Sequence, residues 1–327
     1  MHVLVYLPLV LPAIAALAAR PLAERLPPAI ATWLLAGSAV ALAVASCAVL
    51  GLLALTALVR IPLAAAAGHW SLEVVSREDP ASLPVAVVAG GLLAVAATAA
   101  CGALWRRGRA IARAFRQARD LPGSGRVVIT QDEAADAYTL PGWPCRIVVT
   151  TGMLRVLSGP EQRVLLAHER AHAAWHHFVF TTAARLAAAS NPLLRPVAAT
   201  VAYTVERWAD ERAAALTGDR ALAARAVARA ALAANAARAA RPRANREAAA
   251  LGTDGSPEFS RTAGLAARSA GPVPRRVAAL LRPAPAKPRV LLLAAAVLLV
   301  IVAGASALEA ARDLHALLEY ASSTRVG

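Results

Sequence analysis

The sequence predicts a mainly α-helical membrane protein: four transmembrane helices, with one small α+β domain lying between the third and the fourth. Three observations predict it. The chain is 58% hydrophobic with a mean hydropathy of +0.53, beyond the usual range of a soluble domain. Its apolar residues collect in long charge-free segments rather than in short alternating runs. Between two of those segments lie short β-branched runs and two helical stretches that each carry ionisable residues four apart.

Val3–Ala19 is the first apolar segment, with Pro8 and Pro12 inside it. It lacks a basic leader, and Arg20-Pro21 follows it where a cleaved signal would end in small residues, so it is read as a span. Ile30–Val59 and Leu83–Trp105 are the second and third, each longer than the roughly 20 helical residues that cross about 30 Å of hydrocarbon. Arg106, Arg107, Arg109, Arg113, Arg116 and Arg119 follow the third span, whereas the loop before it has only Arg60 and Arg77 against Glu73, Glu78 and Asp79. Basic residues near span ends favour the cytoplasm, so residues 106–289 are expected there, with the N-terminus outside. Arg20 and Arg25 in the first linker agree.

Arg126–Thr130 and Cys145–Thr150, the latter bounded by Pro144 and Gly152, read as strands. Ser158-Gly159-Pro160-Glu161 is a capping box that starts a helix. Phe178–Ser190 is an apolar helix, Asn191-Pro192 breaks it, and Leu193–Leu216 is a second helix ended by Gly218. Arg185 and Arg195 interrupt this region and neither half is long enough to cross, so a buried or interfacial hairpin is expected. Arg238–Pro288 is rich in Pro, Gly, Ala and Arg and reads as a mobile linker. Val290–Leu308 is the fourth span. The expected division is a three-span membrane region over 1–105, a cytoplasmic domain over 106–235, a linker over 236–289, the last span over 290–308 and a short external tail over 309–327.

The chemistry sits in His168-Glu169-Arg170-Ala171-His172. Helical residues four apart share a face, so His168 and His172 can aim two imidazoles at one metal ion. Glu169 lies beside that face, placed to take a proton from water. This is the ligand and general-base pattern of zinc peptidases. Catalytic zinc usually takes a third protein ligand. One group draws it from a His six residues after the second His, with a Gly between; Trp175 and Phe178 stand in those places and exclude it. His176 and His177 read as an exposed helix end, turned away from the ligand face. Another group takes a Glu from a second helix, followed four residues later by Asp. Glu206 and Asp210 fit this, 34 residues after His172 and beyond the Pro turn. Glu206 would bind the metal, and Asp210 would accept the free ring N–H of a ligand His. Tyr203 and Arg212 are candidates for the oxyanion donor.

The net charge of +15 does not point to nucleic acid. The arginines gather beside spans and along Ala221–Arg246, where anionic headgroups suit them, and no zinc-finger or RNA-binding signature is present. Cys47, Cys101 and Cys145 form no C-x-x-C pair, so neither a disulfide framework nor a thiolate site is expected.

Three spans, the His-Glu-Arg-Ala-His helix, the helix-Pro-helix hairpin, Glu206 with Asp210 and a final span together resemble the BlaR/MecR-type integral-membrane metallopeptidases. The resemblance runs from the first span to the fourth and is most specific over residues 145–213. It implies a gluzincin fold, one Zn2+ per chain, and a multi-pass bacterial membrane protein with a cytoplasmic zinc endopeptidase domain. It also implies a protein substrate, in some members a transcriptional repressor or the peptidase itself. Signal-transducing members carry a large penicillin-binding domain after the last span; only about 19 residues follow here, so β-lactam sensing is not expected. Membrane peptidases of the heat-shock and prenyl-protein-processing kind share the ligand pattern but insert longer hydrophobic segments between the metal helices.

The expected mechanism has zinc on His168, His172 and Glu206 and Glu169 moving the proton, with an edge strand at Arg146–Thr150 holding an extended substrate. The alternative from another class is a non-catalytic membrane sensor or scaffold that keeps the zinc site for structure.

Overall fold

The computed structural model describes residues 6–59, 83–142, 144–240, 272–283 and 290–323. The charged loop from Arg60 to Asp79, on which part of the orientation argument rests, lies outside them, as do residues 241–271 of the expected linker. Described in chain order are α1 (Leu7–Arg25), α2 (Pro28–Val59), α3 (Leu83–Asp120), β1 (Val127–Thr130), β2 (Ala137–Leu140), β3 (Arg146–Thr150), α4 (Thr151–Val156), α5 (Gly159–Ala174), α6 (His177–Ser190), a 3-10 turn (Pro192–Leu194), α7 (Arg195–Thr217), α8 (Arg220–Ala240), α9 (Pro272–Leu280) and α10 (Val290–Ser323).

Three of these helices, α1, α2 and α3, are long and apolar enough to cross a membrane. Val44 of α2 and Val87, Leu92 and Val95 of α3 are exposed, as a lipid-facing surface requires. The fourth expected span lies within α10, which continues past Leu308 to Ser323, so the expected tail begins as helix. Ala310 of α10 packs with Val49 and Leu53 of α2 and Ala89 of α3.

The hub of the bundle is α2, which packs against α1, α3, α6, α7 and α10. Leu35, Ala39 and Leu42 of α2 share one core with Ala15 and Ala19 of α1, Phe180 and Ala184 of α6, and Val197 and Val201 of α7. The expected hairpin is therefore buried against the spans, and α6, at 14 residues, is too short to cross alone. Its tip is tied at Asn191, whose amide donates to Ser46 Oγ at 3.1 Å. Ser46 in turn donates to the Pro8 carbonyl at 2.7 Å. That carbonyl has no helical partner because Pro12, four residues on, carries no N–H. In an apolar surrounding such a group must be satisfied, and Ser46 satisfies it.

No break separates the third span from the domain after it. The helix α3 has 38 residues and runs straight through the expected border at 105/106 into the arginine-rich stretch. Its end is capped from the sheet. Arg146 of β3 is buried and donates to the carbonyls of Ala118, Leu121, Pro122 and Gly123. A cation on those unpaired carbonyls also favours the helix dipole. The sheet order is β1-β3-β2, with β1 parallel and β2 antiparallel to β3. This corrects one expectation: β3 is central and paired on both sides, so it cannot take an added strand. Among the described residues, the edge left unpaired on the side of α5 belongs to β2, whose short sequence carries little strand signal.

The starts and stops follow local chemistry. The Glu161 carboxylate accepts from Ser158 N–H at 2.9 Å and Oγ–H at 2.8 Å, completing the capping box. Gly218 ends α7 at φ +69°, the left-handed cap that glycine adopts without strain. A second correction concerns the linker. Residues 236–240 complete α8 and residues 272–280 form α9, which packs on α8 and α7. Val273, Val277 and Leu280 recur at helical spacing and give α9 an apolar face; Leu280 is fully buried.

If Arg146 ties the domain to the third span, Arg146→Ala should cost about 2–3 kcal/mol, the scale of charged hydrogen bonds left unmade. Thermal unfolding of the detergent-purified protein should show a lowered midpoint; an unchanged midpoint would mean that the cap is not a tie.

Candidate metal centre

The helices α5 and α7 pack against each other and bring the two i, i+4 motifs face to face. His168 Nε2 and His172 Nε2 are 3.1 Å apart. Glu206 Oε2 lies 3.7 Å from His168 Nε2, and Glu206 Oε1 lies 3.6 Å from His172 Nε2. Among the described residues these three form the cluster of His, Cys, Asp or Glu side chains that could hold a metal ion. Tetrahedral zinc with bonds of about 2.0–2.1 Å separates its ligand atoms by about 3.3 Å, so the spacing fits. The charge fits as well. The carboxylates of half-buried Glu206 and buried Asp210 face the Arg276 guanidinium and the imidazoles, so a cation held on the imidazoles is offset by negative charge.

Asp210 is buried, with Oδ1 3.0 Å from His168 Nδ1. The contact is close but poorly aligned, since Nδ1 makes no hydrogen bond within ordinary angular limits. Glu169 is also buried, and the Thr139 hydroxyl of β2 donates to its Oε2 at 2.8 Å and to its backbone carbonyl at 3.0 Å. Glu169 and Thr139 line, with His168, His172 and Glu206, a cavity of about 220 Å³ walled further by Asp136 just before β2, by Ala137 and Tyr138 of β2 and by the alanine face of α8.

Electrostatics separate the groups. Burial disfavours the charged form of Glu206, yet Arg276, His172 and His168 hold its carboxyl well below the usual range. Asp210 is lowered in the same way, against burial, by Arg276 and then His168. Burial also works against a charged His168, but Asp210 and Glu206 outweigh it and raise the imidazole to about 10. Burial pushes His172 down to about 4 and raises the Glu169 carboxyl. A raised carboxyl is a better proton acceptor, which suits a general base.

The family model for Peptidase family M48 matches residues 103–285, more than half of the chain and all of the cluster. The chain belongs to Peptidase family M48. M48 peptidases are zinc metalloproteases, and the donor set described above fits that metal. The match establishes the family and does not reach the BlaR/MecR type. Neither the curated proteins nor the solved structures give a match.

Two residues of this candidate centre were not foreseen. Arg276 of α9 donates through Nε to Asp210 Oδ2 at 2.7 Å and through Nη2 to Asp210 Oδ1 at 2.7 Å. Its Nη1 lies 2.9 Å from Glu206 Oε2. Only the apolar spacing of α9 hinted that this segment packs at all. The other is His177, expected on an exposed helix end. His176 is exposed, but His177 is 1% exposed and its Nδ1 lies 3.1 Å from His172 Nδ1. In an unbroken helix the two would stand about 140° apart. The chain instead turns at His176, which takes the left-handed φ of 47°, and α6 begins in a new phase.

The two oxyanion candidates lie elsewhere. Neither Tyr203 nor Arg212 lines the cavity. The Tyr203 ring sits under Arg275, 4.4 Å from the guanidinium carbon, and Arg212 lies over the Trp175 ring at 5.2 Å. Three residues before Glu206 is the flank of α7 that meets other elements, not the cavity.

Arg276→Leu should leave the buried Asp210 and the half-buried Glu206 short of their cation. Breaking one side of a buried ion pair costs about 3–5 kcal/mol, so the metal-free protein should melt markedly lower. Added zinc should recover part of the loss. Thermal midpoints with chelator and with zinc check this; equal losses in both would show that Arg276 and the metal site are not coupled.

Proposed function

We propose that the chain is a membrane-embedded zinc metalloendopeptidase that hydrolyses extended protein segments at the cytoplasmic face. The observation that carries it is the convergence of His168, His172 and Glu206 in one cavity with the buried Glu169, beside the free edge of β2. His168 Nε2, His172 Nε2 and the Glu206 carboxylate would hold the metal, and Asp210 would orient His168. A bound zinc supplies a Lewis acid that acidifies water and polarises the scissile carbonyl.

The chain's own groups do the rest. Glu169 takes the proton of the attacking water and passes it to the leaving amine. Thr139 fixes the Glu169 carboxylate through its hydroxyl. Asp136 is paired with Thr150 through Thr150 N–H, so by antiparallel alternation the N–H and C=O of Thr139 and the C=O of Ala137 face the outer edge, while the Ala137 N–H donates to Asp136 Oδ1 at 3.0 Å. That edge would hold a substrate by strand addition, which selects an extended backbone over a folded one.

The cytoplasmic placement rests on the arginines of α3 from Arg106 to Arg119, which lead into the sheet, and on Arg20 and Arg25 at the end of α1. Arg207 of α7 donates to the Ala23 carbonyl at 2.7 Å, so the metal helices meet α1 at that basic end. Exposed Trp33, Trp105 and Trp175 suit a headgroup-level belt. The three-span region, domain and fourth helix keep the order of the BlaR/MecR-type peptidases, and regulatory proteolysis or self-cleavage is the finer reading that this order supports.

Glu169→Gln should keep fold and zinc while losing hydrolysis of an unfolded protein substrate by at least about 100-fold, since the amide cannot take the proton. Asp210→Ala should weaken zinc roughly 10–100-fold. Equal hydrolysis by Glu169→Gln and wild type would remove the general base from this account. Cysteine-accessibility labelling should find position 109 cytoplasmic and position 319 external. External labelling of position 109 would move the peptidase to envelope substrates.

A further inference from the structure

His168 has Asp210 behind it, and a metal-bound imidazole generally needs such a partner for its other nitrogen. We infer that His177 is a positioning residue for His172, accepting the His172 Nδ1 hydrogen and thereby fixing that ring's tautomer and orientation toward the metal. The inference rests on the metal-centre reading above. His172 Nε2 faces His168 and Glu206, so His172 Nδ1 is the nitrogen turned away from the ligand cluster, and it meets His177 Nδ1 at 3.1 Å. Two facing ring nitrogens share one hydrogen. If His172 Nε2 gives its lone pair to a metal, its hydrogen sits on Nδ1. His177 Nδ1 must then be bare, and His177 carries its own hydrogen on Nε2.

The surroundings of His177 agree. Its Nε2 is buried and has no hydrogen-bond partner among the described residues, so its polar contact within them is the one with His172. The ring is wedged against Trp208, with centroids 4.7 Å apart, and stands nearly perpendicular to the His172 ring. The left-handed turn at His176 aims it there. Packing against Trp208 needs a flat ring but no nitrogen. The Nδ1–Nδ1 contact is what packing alone does not require. The two imidazole ligands are thus oriented differently, His168 by an anion and His172 by a neutral ring.

Three variants of the full chain in detergent test this, with zinc affinity read by chelator competition. His177→Asn places an amide oxygen near the former Nδ1 and should bind zinc within about threefold of wild type. His177→Gln places its amide near the former Nε2, and His177→Phe keeps only the ring; both should lose roughly 10–100-fold, the scale of lost outer-shell partners. The visible spectrum of the cobalt-substituted protein should stay as wild type in Asn and change in Gln and Phe. Should Phe fail to fold, the Asn and Gln pair decides. Wild-type affinity and spectrum in Gln or Phe would overturn the inference, as would an Asn variant as weak as Gln. Failure of wild type itself to take up zinc would instead remove the metal-centre reading on which the inference stands.

Discussion

Two carboxylates withdrawn from bulk water set the terms for the domain. Asp210 is buried and Glu206, one turn before it on α7, is half-buried, and charge withdrawn from water must be paired or coordinated. Their partners arrive from two other helices: His168 and His172 from α5 and Arg276 from α9. Each contact is therefore also a constraint on the packing of α5, α7 and α9. Replacing a buried ionic cluster by apolar side chains of similar volume is often neutral or stabilising. The buried charge is the cost of a site able to hold a cation.

The membrane bundle serves that constraint. The helix α7 is fixed along α2 by the Thr32–Thr204 hydroxyl contact at 2.9 Å and along α1 by Arg207 on the Ala23 carbonyl. The hairpin tip is fixed by Asn191 on Ser46. On the opposite side, α3 carries the sheet on its capped end and so positions Thr139 against Glu169. Glu169 shares α5 with His168 and His172, whereas Thr139 comes with the sheet, so a relative movement of α2 and α3 would change the contact between Thr139 and Glu169.

Much of this was legible in the sequence, and the reasons differ by element. The convergence of His168, His172 and Glu206 was readable because helical spacing converts directly into a shared face. The starts and stops at Ser158, Asn191-Pro192 and Gly218 were readable because they are local chemistry. What escaped reading was long-range or conformational. Arg276 sits in a Pro- and Arg-rich stretch with no local sign of its partner Asp210, 66 residues earlier, or of Glu206 one turn before that. His177 was misplaced because no Gly or Pro marks the turn at His176. The strand β2 was missed because four residues, Ala137–Leu140, carry too little pattern, and with it the order of the sheet. Tyr203 and Arg212 were chosen by proximity in sequence, which says nothing of which neighbour a side chain meets.

A zinc ion held by two imidazoles and one carboxylate has a distinct signature in X-ray absorption at the zinc edge of the purified protein. Nitrogen and oxygen scatterers alone are expected at about 2.0–2.1 Å, with the outer-shell pattern of two imidazole rings, falling to one ring in His172→Ala. A sulfur scatterer at about 2.3 Å, or an imidazole count that His172→Ala leaves unchanged, would contradict it.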